Sequence, residues 1–94
     1  MTEERVREIL KEKGFYPRVT GPSYMRVFRR SDACFVEPQP DGMWLIVVVR
    51  FDRLSDRREW VSEKAEIAFQ NPIAAATYAN RHVIPALLAG KEST

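Results

Sequence analysis

The chain has 94 residues, of which 45% are hydrophobic and 30% are charged, and its formal net charge at pH 7 is +2. These values predict one globular domain with a single core, and they place the chain away from the disordered and membrane classes. The net charge is too weak to indicate nucleic acid by itself, and the longest strongly apolar stretch, 45–49, is far shorter than the ~20 residues of a membrane-spanning helix.

Cysteine usage and the first residues predict a cytoplasmic protein with no membrane association. Cys34 is the only cysteine, so no internal disulfide can form, whereas small secreted domains usually contain several. The chain starts Met-Thr-Glu-Glu-Arg, which lacks the basic start and the apolar run of an export signal.

The first predicted element is a short amphipathic helix that ends at Gly14. Thr2 is placed to cap its first turn. If Gly14 adopts the left-handed conformation, Phe15 follows where a helix cap makes its apolar contact back to Leu10. The helix is expected to dock through one narrow stripe, which consists of Val6, Ile9 and Leu10.

Three strands are predicted next, at 24–30, 33–37 and 43–51. Pro17, Gly21 and Pro22 break the segment that precedes them. The third strand is apolar on both faces at 46–49, so we expect it in the interior of the sheet.

The segment 59–69 has two interpretations. Its alternation of apolar and polar residues favours a fourth strand, which makes the charged residues 52–58 a loop at a hairpin tip. Alternatively, Asp56 and Glu59 form a capping box at the start of a helix.

The last predicted element is a helix that runs from Pro72 toward residue 89. Asn71 is a capping side chain before a proline at the first helical position. Pro85 has no N–H to donate to the carbonyl of Arg81, so we expect a kink or a split near Val83.

This order of elements predicts a single α+β domain over residues 1–94. It contains a helix, a three- or four-stranded antiparallel meander and a C-terminal helix (α-β-β-β-β-α), with the helices on one sheet face. Residues 91–94 are expected to form a disordered tail.

The first strand carries the most distinctive candidate surface, formed by Tyr24, Arg26, Phe28 and Arg30. Regular alternation puts these side chains on one face. Tyrosine and arginine are typical of hot spots in protein interfaces, and rings interleaved with arginines also suit single-stranded nucleic acid. A third interpretation is that the rings lie under a helix while the arginines reach water along their apolar stems.

A second basic group consists of Arg50 and of three arginines in the predicted loop, Arg53, Arg57 and Arg58. Projecting loops often contact partners. Intervening acidic residues can neutralise this group locally, so a solvated loop is the alternative.

No catalytic, cofactor or metal site is predicted. Cys34 and His82 are the one plausible nucleophile and base, and their spacing gives no indication of contact. Cys34 is expected to be a buried small hydrophobe. One cysteine and one histidine cannot form a Cys/His zinc site within a single chain, and the isolated glycines form no phosphate-binding loop.

We therefore expect a small non-enzymatic binding or regulatory protein that contacts another protein and self-associates as a homodimer. The expected partner-binding residues are Tyr24, Arg26, Phe28, Arg30, Arg53, Arg57 and Arg58. A nucleic-acid-binding protein that uses the same arginines is the alternative.

Overall fold

Residues 2–30, 32–51, 56–60 and 67–90 are described by a computed structural model of the chain. The elements in order are α1 (Glu3–Glu12), β1 (Tyr16–Pro17), β2 (Tyr24–Arg29), β3 (Asp32–Pro38), β4 (Trp44–Phe51), β5 (Asp56–Trp60), α2 (Pro72–Tyr78), a π-helical turn (Ala79–Val83) and α3 (Ile84–Leu88). The predicted α+β domain is confirmed, with an N-terminal helix, an antiparallel sheet and a C-terminal helix. The expected tail at 91–94 lies outside the described residues.

Helix α1 begins and ends as its sequence predicts. At its start, Oγ1 of Thr2 accepts a hydrogen bond from the backbone N–H of Arg5 at 3.1 Å. At its end, Gly14 has a φ of 89°, and the N–H of Phe15 donates to the carbonyl oxygen of Leu10 at 2.8 Å. Leu10 and Phe15 are fully buried, so the cap that stops α1 also anchors it in the core.

The sheet is an antiparallel meander with the strands in the order β1-β2-β3-β4-β5. Strand β4 pairs with β3 on one side and β5 on the other, which confirms the predicted interior position of the apolar stretch 46–49. The sequence does not predict β1, because Pro17 and the residues after it are typical of a break. An edge strand tolerates proline, since only one side of the strand has to supply ladder hydrogen bonds.

The strand after β4 starts earlier than predicted. Because β5 begins at Asp56, Arg57 and Arg58 lie in a strand and not in a hairpin-tip loop. One edge of β4 bonds to β3, and the backbone N–H and C=O groups along its other edge also need partners. The charged segment that follows β4 supplies these partners by forming a strand, although its composition is typical of a loop. The first residues of the predicted strand 59–69 belong to β5, while 61–66 lie outside the described part of the chain.

The main core lies between one face of the sheet and all of the helices, which confirms that the helices share a face. Its buried residues are Leu10, Phe15, Tyr24, Cys34, Val36, Ile46, Val48, Ala75, Ala76, Ala79, Val83, Ile84 and Leu87. A smaller cluster on the opposite face consists of Ala33, Phe35, Val47 and Val49, with Met25 packed against it.

The C-terminal helical segment starts at the predicted cap and is split as expected. Oδ1 of Asn71 accepts a hydrogen bond from the N–H of Ala74 at 2.8 Å. The N–H of Ile84 donates to the carbonyl of Ala79, five residues back, so the π-helical turn separates α2 from α3 just before Pro85. Over the described ranges, no helix has both the length and the apolar character to cross a membrane.

Candidate functional site

The structure places most of the predicted strand surface beneath the helices. Tyr24 is only 7% exposed and belongs to the main core, and Phe28 is half-buried against that core. The pairing of β2 with β3 shifts register between Val27 and Arg29, so the regular alternation does not extend to Arg30, which is exposed. The four predicted residues therefore do not form one accessible surface, and this placement agrees with the interpretation that the rings lie under a helix.

Arg26 is engaged in a polar chain that joins three elements. Its guanidinium donates to Oδ1 of Asn80 in the π-helical turn, and Nδ2 of Asn80 donates to the carbonyl oxygen of Lys13 at 3.0 Å. A Cβ at Gly14 would lie 3.1 Å from Cδ of Arg26, so the arginine stem also packs closely on the end of α1. We call this set the Arg26–Asn80–Lys13 chain.

The other basic residues near β2 and β5 have different surroundings. Arg29 forms an ion pair with Asp32 at 2.6 Å and donates to the carbonyl oxygen of Leu87 near the end of α3 at 3.2 Å. In the β4–β5 ladder, Arg57 is opposite Arg50 and Arg58 is opposite Val49. Arg53, the third residue of the predicted basic loop, lies outside the described residues.

Cys34 and His82 occupy different environments. Cys34 is fully buried in the main core, and burial raises the pKa of its thiol to about 12 despite the opposing effect of the Arg26 charge. At neutral pH the thiolate, which is the reactive form, is therefore almost absent. His82 is exposed and its ring lies 4.7 Å from that of Tyr78. Across 2–30, 32–50 and 67–90, no three His, Cys, Asp or Glu side chains cluster as a metal site would require.

The site that the sequence analysis missed is a groove beside Tyr24 and Trp44. Its larger part has a volume of about 530 Å³ and is lined by Glu3, Val6, Arg7, Pro17, Arg18, Gly21, Pro22, Ser23, Tyr24, Trp44 and Pro72. A second depression of about 370 Å³ is lined by Val6, Asn71, Pro72 and Ile73. The two depressions share Val6 and Pro72, so they adjoin one another between α1 and α2, and we call them together the α1–α2 groove.

The sheet register explains why two aromatic rings meet in this groove. On β3, Val36 is opposite Tyr24 and Pro38 is opposite Trp44, which places both rings on the helix-covered face near one end of the sheet. The ring centroids of Tyr24 and Trp44 are 6.3 Å apart with an interplanar angle of 38°. The separation lies within the range of about 4.5–7 Å over which aromatic pairs interact.

The polar atoms of these two rings are available to a ligand. Within the described part of the chain, neither the Tyr24 hydroxyl nor the Trp44 indole N–H has a hydrogen-bond partner. Their backbones, in contrast, are occupied. Tyr24 pairs with Pro17 and Val36 in the ladder, and the N–H of Trp44 donates to the carbonyl oxygen of Phe69 at 2.7 Å.

The charged side chains along the groove largely compensate each other. Arg7 lies 3.8 Å from Glu3 in a solvent-exposed ion pair, which contributes little to stability. The guanidinium of Arg18 lies 4.9 Å from the ring centroid of Phe35, which belongs to the cluster on the opposite face of the sheet. The Arg18 charge therefore lies away from the groove, although other atoms of this residue line it.

Parts of this groove were visible in the sequence, but not their proximity. Val6 belongs to the predicted stripe of α1, and Pro72 was identified as a helix start. Trp44 opens the interior strand. Bringing these three together depends on the angle at which α1 and α2 pack on the sheet, for which the sequence pattern has no signal.

Comparison with protein-family models, with characterised proteins and with solved structures finds no match to this chain. A small α+β fold with a meander sheet does not itself specify a function. Within the described part of the chain, the feature that bears on function is the groove, with its concave shape and its two free donors.

Proposed function

We propose that this protein is a small non-enzymatic binding module that takes a segment of a partner protein into the α1–α2 groove. The observation that carries the proposal is the pair of Tyr24 and Trp44, which present apolar rings and unused hydrogen-bond donors to one concave surface. Binding sites are typically concave, mainly apolar and supplied with a few convergent polar groups. Tyrosine and tryptophan are also the residues most enriched in interface hot spots.

The chemistry of the groove supports binding in preference to catalysis. A nucleophile needs a neighbouring base, and no histidine, cysteine or aspartate is among the described residues that line the groove. Cys34, the strongest nucleophile by residue type, is held as a buried thiol with a pKa of about 12. These observations support the expectation that the protein is not an enzyme.

The same geometry favours a protein partner over a nucleic acid. A single-stranded nucleic acid requires accessible rings beside free cations. Here Tyr24 is 7% exposed, Arg26 is bonded to Asn80, and Arg29 is paired with Asp32. These three residues therefore do not provide the accessible ring and the free cations that this mode of binding needs.

The proposal includes self-association in the cytoplasm through the β1–β2 edge. Tyr16 and Val27 are 57% and 62% exposed, and the register of Tyr16 with Met25 puts them on the face away from the helices. A second copy would cover this apolar surface. Light scattering on wild type and Val27→Lys tests the point, since the variant should be monomeric at concentrations where wild type is a dimer.

The groove itself is tested by selecting peptides from a random library displayed on phage. Wild type is compared with Val6→Lys, which places a charged side chain between the two depressions, and with Val27→Lys, the same substitution outside the groove. We expect selected peptides to bind wild type and Val27→Lys equally and to bind Val6→Lys at least tenfold more weakly. Circular dichroism and thermal melting confirm that both variants are folded.

Two results would contradict the proposal. One is a selection in which every enriched peptide binds Val6→Lys as tightly as it binds wild type. The other is retention of a homopolymeric RNA whose log affinity falls linearly with log salt, in the absence of any groove-dependent peptide. That outcome would establish the nucleic-acid alternative.

A further inference from the structure

We propose that Arg18 is a latch for the α1–α2 groove. Its guanidinium packs on Phe35 at one face of the sheet and thereby holds the β1–β2 loop, residues 18–23, which walls the groove at the other face. Release of this contact lets the loop move away and opens the groove. The latch is a property of the free protein, whereas its role in admitting a partner rests on the proposed function.

The β1–β2 loop forms one wall of the larger depression. The loop residues that line this depression are Arg18, Gly21, Pro22 and Ser23. The rings of Tyr24 and Trp44 line the same depression, and Trp44 is half-buried. The position of the loop therefore determines how far these two rings are open to solvent.

The loop makes few contacts with the rest of the described chain. Residues 18–22 are exposed, and the apolar side chain of Val19 is fully so. Apart from its chain neighbours, no atom of the described residues lies within 4 Å of the place that a Cβ at Gly21 would take. The N–H of Arg18 donates to the carbonyl oxygen of Ser23 at 3.1 Å and closes the loop at its base. The rest of the loop depends on this base for its position.

The contact of Arg18 with Phe35 reaches from the groove side of the sheet to the opposite face. The guanidinium carbon lies 4.9 Å from the ring centroid, within the limit of about 6 Å for a cation–π contact. Phe35 is 5% exposed and lies on β3 opposite Met25 of β2, so the ring is a fixed anchor. Arg18 directly follows the edge strand β1, which lets its side chain pass around the edge of the sheet.

The strength of this contact suits a latch that opens without unfolding of the sheet. A cation–π contact at an exposed site shifts an equilibrium by only about two- to fivefold. Gly21, with a φ of 98°, gives the loop a residue that changes backbone conformation at low steric cost. Loops that open and close over binding sites move about a few such positions.

The latch is tested in the free protein by acrylamide quenching of Trp44 fluorescence. A Trp60→Phe background leaves Trp44 as the only tryptophan, and acrylamide is uncharged, so the loss of a cation does not itself change the quenching. We expect the quenching constant of Trp44 to rise about twofold in Arg18→Ala, the lower end of the expected shift, because Trp44 is already half-exposed. Arg81→Ala removes an exposed arginine outside the loop and should leave the constant unchanged.

A double-mutant cycle tests whether Phe35 is the other half of the latch. Phe35→Leu removes the ring and keeps an apolar side chain in its cluster, so Arg18→Ala should cause no further rise in that background. Arg18→Lys keeps a cation that can lie over the ring and should give an intermediate constant. Circular dichroism confirms that each variant is folded.

Three results would overturn the latch. The first is an unchanged quenching constant in Arg18→Ala, and the second is an equal rise from this change in both Phe35 backgrounds. The third decides the point if Phe35→Leu does not fold, and it is a constant for Arg18→Lys equal to that for Arg18→Ala. Groove-dependent peptides with unchanged quenching would leave the proposed function standing and remove the latch, whereas a confirmed latch without any such peptide would remove the proposed function alone.

Discussion

Replacing Asn80 by alanine tests whether the Arg26–Asn80–Lys13 chain holds the helices on the sheet. The change removes a hydrogen bond with a charged donor, worth about 1.5–3 kcal/mol, and a neutral one to a backbone carbonyl, worth about 1 kcal/mol. Both bonds are only partly buried, so we expect a net loss of about 2 kcal/mol. Domains of this length have a total free energy of unfolding of roughly 5–14 kcal/mol.

Urea denaturation followed by circular dichroism measures this loss, and a double-mutant cycle with Arg26→Met isolates the charged bond. In the Arg26→Met background, Asn80→Ala should cost about 1 kcal/mol, because only the bond to Lys13 remains to be lost. Arg81→Ala is the control, since Arg81 is an exposed residue of the same π-helical turn and should change stability by less than about 0.5 kcal/mol. Equal costs of Asn80→Ala in the two backgrounds would show that the chain does not act as a unit.

Three further results are expected. Gly14→Ala should lower stability by about 1–2 kcal/mol in urea titrations, because φ is +89° there and the new Cβ would press on Arg26. Tyr24→Phe should leave the melting temperature unchanged or raised, since its hydroxyl has no partner in the described residues; a clear decrease would reveal a hidden bond. Cys34 should resist iodoacetamide from pH 7 to 10 in the folded protein. Because its pKa is raised from 9.0 to about 12, the stabilisation of wild type relative to Cys34→Ala should decline as pH rises from about 9 to 12.

Local sequence signals were sufficient for most of the fold. Thr2, Gly14 and Asn71 mark helix ends through hydrogen bonds that involve their near neighbours, so their roles follow from a few residues of sequence. The split before Pro85 follows equally from the missing N–H of one residue. Strand β1 and the early start of β5 were not predicted, because both depend on the pairing needs of a neighbouring strand.

The candidate site was harder to predict than the fold. The face of β2 with Tyr24 and Arg26 had three interpretations from the sequence: a protein interface, a nucleic-acid surface, or rings covered by a helix. The choice between them depends on which face of the sheet the helices cover. Tyr24 is buried and Arg26 is half-buried because the helices and the π-helical turn pack over this face of β2. The bulge that redirects the strand after Val27 has no marker in the sequence, and it moves Arg30 away from the predicted surface.

The π-helical turn makes the length of the last helical segment as important as its composition. A π-turn carries one more residue than the matching α-helical turn, and each residue of an α-helix advances the side chains by about 100°. Inserting a further residue within 79–83 would exceed what this turn accommodates; it would rotate α3 by that angle, turn Leu87 out of the core, and withdraw its carbonyl from Arg29. Deleting one residue there would instead leave an α-helical turn and keep Leu87 facing the core, so the two changes in length should have unequal effects on stability.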